Sequence, residues 1–424
     1  MVSFKNGVLK IQRGEENTAR TIYEICFFVN TVTLFAFNDV KFIGTATGLM
    51  MLFSSMLLWI GRRAERVVVP YNMVWYALFT AYAALSGIWS VYLNTIMASY
   101  LLRMVVILAM LTSIAIYVDK RADLERLIKL YIFSVLVIVL LEFSSVPVSE
   151  WSDGSMGSHF SGSNPNGVAF IVWSAELMAF YEFHSKGNKK YALLVVLFLA
   201  FVILSSSRKM TFSALAGPIL IVLFSVYKKN YLFNILIVVV LAVLTFSFIM
   251  TDENAYNAIG KRFASMFSFY FEGRSQTVDN SLYVRSYYIE LAKRMFAESP
   301  LLGKGMGNFS KIINQVYMLE EAYSHNNFWQ ILSEFGLIGF VMYYSMYFVM
   351  LVRLAKGVFI NKDSLSILFM TLMIMFLVIE TGLVTYYSKM PQVVMAIAYT
   401  ATYVSKENEQ KYKYIEDNRM EESL

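Results

Sequence analysis

Hydropathy along the chain follows a regular pattern: apolar runs of about 20 residues, the length a helix needs to cross a bilayer, alternate with short polar joints. Such runs lie near 21–37, 42–60, 68–90, 99–118, 128–148, 166–183, 191–206, 209–227, 231–250, 335–354, 364–384 and 388–404. They predict an all-α, polytopic membrane protein with about twelve transmembrane helices.

One stretch breaks the rhythm. Between Thr251 and Gln330 the sequence lacks Pro/Ser-rich low complexity, and helical periodicity appears twice. In "SLYVRSYYIELAKRMFAES" the residues Val284, Tyr288, Leu291, Ala292, Met295 and Phe296 form an apolar stripe, with Glu290, Lys293, Arg294 and Glu298 opposite. Phe309, Ile312, Ile313 and Val316 form a second stripe after the turn "SPLLGKGMGN". The expected organisation is therefore nine membrane helices over 1–250, a helical extracytoplasmic cap over 251–330, three more helices over 331–404 and a cytoplasmic tail over 405–424. No internal repeat of 20 to 50 residues is visible, which excludes solenoids.

Composition agrees with membrane burial: 58% of residues are hydrophobic, 16% are charged, and the mean hydropathy of +0.55 is too high for a soluble domain of this length. The net charge of +6 matters less than where the cations fall. With a cytoplasmic N-terminus, "GRRAER" (61–66), "DKRADLER" (119–126), "HSKGNKK" (184–190), "YKKN" (227–230) and Arg353, Lys356 and Lys362 all sit on inner loops, as the positive-inside rule requires. The polar start "MVSFKNGVLKIQRGEENTAR" has no apolar core followed by small residues, so insertion is expected to rest on the first membrane helix. A single cysteine, Cys26, permits no disulfide framework.

Cations that violate the orientation rule are the candidates for chemistry. Arg208 and Lys209, in "LSSSRKMTFSALAG", interrupt an otherwise apolar stretch and form an outer turn with no acidic neighbour in sequence. Two readings stay open, contact with lipid headgroups or an anion site at the membrane surface. Arg285 falls on the apolar stripe with Tyr288, Ile289, Ala292 and Phe296, where a guanidinium needs a carboxylate or a bound phosphate. Arg274, in "FEGRSQ", reads as a loop charge, and Arg103, in "SYLLRMVV", either snorkels at the outer end of the fourth span or lines the same cavity. His325 follows Ser324, a good N-cap, so "HNNFWQILSE" places it in the first turn of a helix that Gly336 would break or end. Free N–H groups there favour an anion and disfavour the imidazolium. His159 and His184 read as structural.

No P-loop, G-x-G-x-x-G fingerprint, H-E-x-x-H or nucleophile-elbow serine is present, and nothing suggests nucleic-acid binding. No D-x-D motif offers a divalent ion a home, and no metal or cofactor is expected; for the outer-side acids Asp39, Asp252 and Glu253 two readings stay open, weak binding of such an ion or, as preferred, residues flanking helix ends.

The segments "FSGSNPNGVAF" (160–170), "LSSSRKMTFSALAG" (204–217) and "VRSYYIELAKRMFAESPLLGKGMGNF" followed by "SHNNFWQILSEFGLIGF" resemble, in that order and spacing, the O-antigen polymerase and O-antigen ligase family of bacterial envelope glycosyltransferases. The resemblance covers roughly the second half of the chain. It implies a GT-C type enzyme of the inner membrane that works on the outer face upon polyprenyl-diphosphate-linked sugars, in O-antigen, capsule or exopolysaccharide synthesis. Carried over residue by residue, it gives Arg208, Arg285 and His325 catalytic places around the diphosphate. Lys209, Arg274, Arg103, Asn326 and Asn166 are expected to bind diphosphate or glycan, with Asn164 and Asn166 of "NPN" shaping a loop. A flippase and a chain-length regulator are the protein partners that the resemblance implies.

On this reading an acceptor hydroxyl displaces the lipid diphosphate with inversion, and Glu142 and Glu380 are candidate bases besides His325. Polymerase is preferred over ligase. A twelve-span transporter is the rival from another class, against which stands the long insertion between spans nine and ten, where a transporter of two related halves has its connection between spans six and seven.

Overall fold

The computed structural model describes residues 2–36, 41–62, 71–92, 95–147, 164–225, 231–271 and 279–404. Arg274, His159, Asp39 and the tail 405–424 lie outside these residues. Among the described residues the protein is all-helical: α1 (Val2–Ala36), α2 (Lys41–Arg62), α3 (Tyr71–Leu85), α4 (Thr95–Tyr117), α5 (Arg121–Ser145), α6 (Pro165–His184), α7 (Tyr191–Leu204), α8 (Arg208–Phe224), α9 (Tyr231–Thr251), α10 (Glu253–Ala255), α11 (Lys261–Phe271), α12 (Asn280–Glu298), α13 (Asn308–Gln315), α14 (Asn327–Phe359), α15 (Ser364–Glu380) and α16 (Lys389–Thr400).

Among the described residues four helices are long and apolar enough, by length and composition, to cross a membrane: Phe42–Gly61, Ile96–Tyr117, Arg121–Ser145 and Asn327–Phe359. They coincide with four of the expected spans. α7 and α15 are apolar but shorter. Two helices form the centre. α6 is buried from Val168 to Glu182 and α16 from Met390 to Thr400, on every face, as expected of helices surrounded by other helices rather than by lipid. α16 packs against α4 and α6, and α15 against α14, α6 and α8.

The bundle has two chemically distinct ends. At one, the basic joints close on acids: Arg20 pairs with Asp123, Arg121 Nη1 lies 2.7 Å from Asp363 Oδ1, Arg121 Nε lies 3.2 Å from Glu125, and Lys186 reaches the same Glu125 carboxylate. Asp363 also caps α15, accepting from the Ser366 N–H at 3.3 Å. The far end of α15, beyond Glu380, therefore lies roughly 25 Å away at about 1.5 Å per residue.

α12 and α13 form a second, smaller core in which Tyr288, Leu291, Ala292 and Met295 meet Phe309, Ile312 and Ile313, with Trp329 packed against them. This is the first predicted stripe, and Glu290, Lys293, Arg294 and Glu298 are exposed opposite it. The second stripe stops short: Val316 is exposed, because α13 ends at Gln315. The turn between the two helices is fastened to the bundle. Lys304 N–H donates to the Ser333 carbonyl at 2.9 Å and Gly305 N–H to the Glu334 carbonyl at 2.8 Å. Gly336 breaks the helix as expected: its φ 63 and ψ −164 are non-helical, two helical segments of α14 meet there in a kink, and Leu337 N–H turns to the Pro300 carbonyl at 2.8 Å.

Candidate functional site

The joint between α7 and α8 builds the first part of the site. Ser206 adopts φ 56, and Ser207 donates its hydroxyl to Asn166 Oδ1 at 2.7 Å. Asn164 caps α6 by accepting from the Asn166 N–H at 2.9 Å. The "NPN" segment thus seats the turn that presents Arg208 and Lys209. Arg208 does have an acidic neighbour, distant in sequence: its Nη2 donates to Asp279 Oδ2 at 2.9 Å. Asp279 is the N-cap of α12, also accepting from Leu282 N–H at 2.9 Å and from the Ser265 hydroxyl at 2.8 Å. Burial opposes its ionisation, but these hydrogen bonds and the Arg208 charge outweigh burial and hold the carboxyl below its usual range. Arg208 Nη1, in contrast, is buried with no hydrogen-bond partner among the described residues.

Lys209 lies against the turn after α15, where its ammonium occupies the place a side chain at Gly382 would take. The charges of Arg285 and Arg208 both bear on it. Arg285 projects from α12 half-buried, and its charge acts in turn on His325 and Tyr323. Arg285 and Lys209, from α12 and α8, therefore both act on His325, and Arg208 acts on Lys209 beside them. The His325 ring lies between aromatic neighbours, 4.3 Å from the Tyr323 ring and stacked at 6.1 Å on Tyr288. Burial, then Arg285, then Lys209 push its pKa down to about 4, so it is neutral at ordinary pH.

Local chemistry explains why the turn reads Ser-His-Asn-Asn. Asn326, not Ser324, is the N-cap of α14: its Oδ1 accepts from the Trp329 N–H at 3.0 Å. His325 consequently precedes the helix, with φ 56, rather than lying in its first turn. That left-handed backbone is strained for a residue with a Cβ and has to be held in place. Ser324 N–H donates to Gln330 Oε1 at 2.7 Å, and the Ser324 hydroxyl donates to the Asn326 carbonyl at 2.8 Å. Asn326 Nδ2 reaches the Thr381 carbonyl at 3.2 Å, and Asn327 Oδ1 accepts from the Thr385 N–H at 2.9 Å. The two asparagines thus clamp the segment that carries Gly382 beneath Lys209.

The other expected residues separate. Asn326 is occupied as cap and clamp. Arg103 does not join the cluster; it lies over the stacked rings of Tyr100 and Tyr387, 5.9 Å from each centroid. Glu380 is fully buried and accepts from Tyr344 at 2.9 Å, Tyr347 at 2.6 Å and Thr385, so it ties α14 to α15 and has no free oxygen to serve as a base. Glu142 is fully buried on α5. His184 stacks on Phe180, and Asp252 caps α10. Asp279 and Gly382 were not among the sequence candidates. "TVDNSLYV" does contain an Asp followed by an apolar-periodic run, which is a cap signal, but nothing local points from it to Arg208.

Membrane-length helices among the described residues mark an integral membrane protein, and Arg285 and Lys209 bring positive charge to a neutral histidine. Residues 193–344 match the family model described as O-antigen ligase, which supports the O-antigen polymerase and ligase family and surface-polysaccharide biosynthesis. Arg208, Lys209, Arg285 and His325 all fall within the matched residues. No curated protein matches the chain.

Proposed function

We propose that the protein polymerises lipid-linked polysaccharide repeat units, moving the growing glycan from polyprenyl diphosphate to the next repeat unit with inversion at the anomeric carbon. It would do so as a multi-pass protein of about twelve spans in the bacterial cytoplasmic membrane, with α12 and α13 as a cap on the outer face and both termini inside. The carrying observation is that the charges of Arg285 and Lys209 both act on His325, with Arg208 beside Lys209 and one of its buried guanidinium nitrogens without a hydrogen-bond partner among the described residues. Unpartnered buried donors are costly, and a diphosphate would satisfy them.

The acceptor hydroxyl oxygen forms the new bond to the anomeric carbon as the bond from that carbon to the diphosphate oxygen breaks. Diphosphate is a competent leaving group, so the need is for fixed positive charge at the departing oxygen rather than for a general acid. Arg208 and Arg285 supply it. Beside the charges of Arg285 and Lys209, His325 is too weak a base. An anion bound between them raises its proton affinity, and it then accepts the proton of the attacking hydroxyl.

Replacing Arg208, Arg285 or His325 by Ala is expected to lower polymer formation on the order of a hundredfold, roughly 3 kcal/mol, while membrane levels of the protein stay constant. Unchanged chain-length distributions in all three variants overturn the assignment. The description of the matched family favours a second reading, transfer to lipid A core or to protein. Product analysis separates the two: a null strain carrying single-repeat glycan on its acceptor lacks a polymerase, and one accumulating long lipid-linked chains lacks a ligase. Flippase and chain-length regulator remain the expected partners.

A further inference from the structure

The turn between α15 and α16 has a second group of cations on its other side. Arg103 of α4 lies over Tyr387 of this turn and over Tyr100, whose rings stack at 4.0 Å. Lys389, the first residue of α16, sends its ammonium across α2 at Gly44, where a Cβ would stand only 2.8 Å from Nζ. The Arg103 charge bears directly on Lys389. Among the described residues neither cation makes an ion pair or a hydrogen bond.

The arrangement shares with the first pocket an arginine and a lysine whose ammonium rests over a glycine that leaves it room; it differs in that Arg208 pairs with Asp279, whereas no carboxylate among the described residues pairs with Arg103 or Lys389. Holding two like charges together in a half-buried place is unfavourable unless an anion joins them. At the opposite end of the bundle, cations brought together in the same way are matched by Asp123, Asp363 and Glu125.

We propose that Arg103 and Lys389 form a second diphosphate pocket, which holds the lipid-linked acceptor while the first pocket holds the donor. The inference rests on the polymerase reading, in which both substrates carry the same diphosphate. Gly382 and Lys389 are joined by seven residue steps, so the two pockets stand no more than about 25 Å apart along the backbone. That separation suits the geometry of the reaction. The acceptor diphosphate is at the reducing end of its glycan, and the hydroxyl that attacks is at the other end, so a short oligosaccharide must reach from one pocket to the other. A ligase acting on an acceptor without a diphosphate has no use for such a pair.

The test uses the full chain in phosphatidylcholine nanodiscs, titrated with farnesyl diphosphate by calorimetry. Two equivalents are expected to bind per chain. Arg103→Gln with Lys389→Gln should leave one, Arg208→Gln with Arg285→Gln should leave the other, and Arg103→Lys should keep both within about threefold in Kd, about 0.7 kcal/mol. A single equivalent removed only by the Arg208 and Arg285 pair overturns the second pocket and leaves the proposed function standing. Two equivalents untouched by the Arg208 and Arg285 pair overturn the proposed function instead. If phosphatidylglycerol in the nanodisc displaces the equivalent that depends on Arg103 and Lys389, that pocket is a headgroup site and the acceptor assignment fails.

Discussion

The two ends of the helical bundle carry the same kinds of cation in opposite circumstances. Arg121 meets Asp363, itself fully buried, at 2.7 Å and Glu125 at 3.2 Å, and its charge is spent on holding α5 against α15. Arg208 gives one amine to Asp279 and keeps another buried and unpartnered among the described residues, while Lys209 has two arginines for electrostatic neighbours. Paired charge is structure, and uncompensated charge is capacity for a ligand. The difference teaches that counting arginines near a membrane surface says little until each is matched against its acids.

The sharpest way to break the contrast is at the paired end. Arg121→Ala strips the counter-charge from buried Asp363 and is expected to cost about 3–5 kcal/mol of stability, seen as a lower melting temperature in detergent, with the rate per folded molecule unaffected. Arg285→Ala should do the reverse, lowering the rate with no change in melting. An identical response of the two variants would erase the distinction.

A second experiment reads pH. His325 has its pKa depressed from 6.5 to about 4, so between these values the unfolded chain binds a proton that the folded site refuses. Stability should therefore fall as pH drops from 6.5 towards 4, at no more than about 1.4 kcal/mol per pH unit, and level off below. His325→Asn should remove that part of the slope, and saturating farnesyl diphosphate should flatten it in the parent; a slope identical in all three conditions refutes the burial and charge argument. The smallest effect is expected from Gly382→Ala. The new methyl displaces only the tip of Lys209, so melting should hold while the rate drops about tenfold, or about 1.4 kcal/mol.

Much of this was legible in the sequence. Hydropathy located the helices, departures from the positive-inside pattern pick out Arg208 and Lys209, and Arg285 stands out as a guanidinium on an apolar helical stripe. Periodicity gave the stripe on α12 and the exposed face opposite. The pairings that define the site were beyond reach for a physical reason: Asp279 is 71 residues from Arg208, and Gly382 is a featureless glycine until Lys209 rests on it. Ser324 and Asn326 are both good caps, so the sequence places the start of the helix two positions early, and the Asn326 Oδ1 contact with Trp329 N–H decides between them. Arg103 was legible as a cation in the wrong place, but its companion Lys389 looked like an ordinary residue at a helix start.

The bend in α14 bears on how the enzyme would tolerate different membranes. The helix is bolted to protein on both sides of Gly336: the Phe335 carbonyl is held by the Tyr82 hydroxyl at 3.0 Å, and Leu337 N–H by the Pro300 carbonyl. Below it, Val341, Phe348 and Val352 are exposed on the flank of the bundle. Tyr344 and Tyr347 bind the lower rod to Glu380 of α15, so a thicker or thinner bilayer meets one packed unit that includes the histidine turn, and turnover measured in short-chain and long-chain lipids should agree closely.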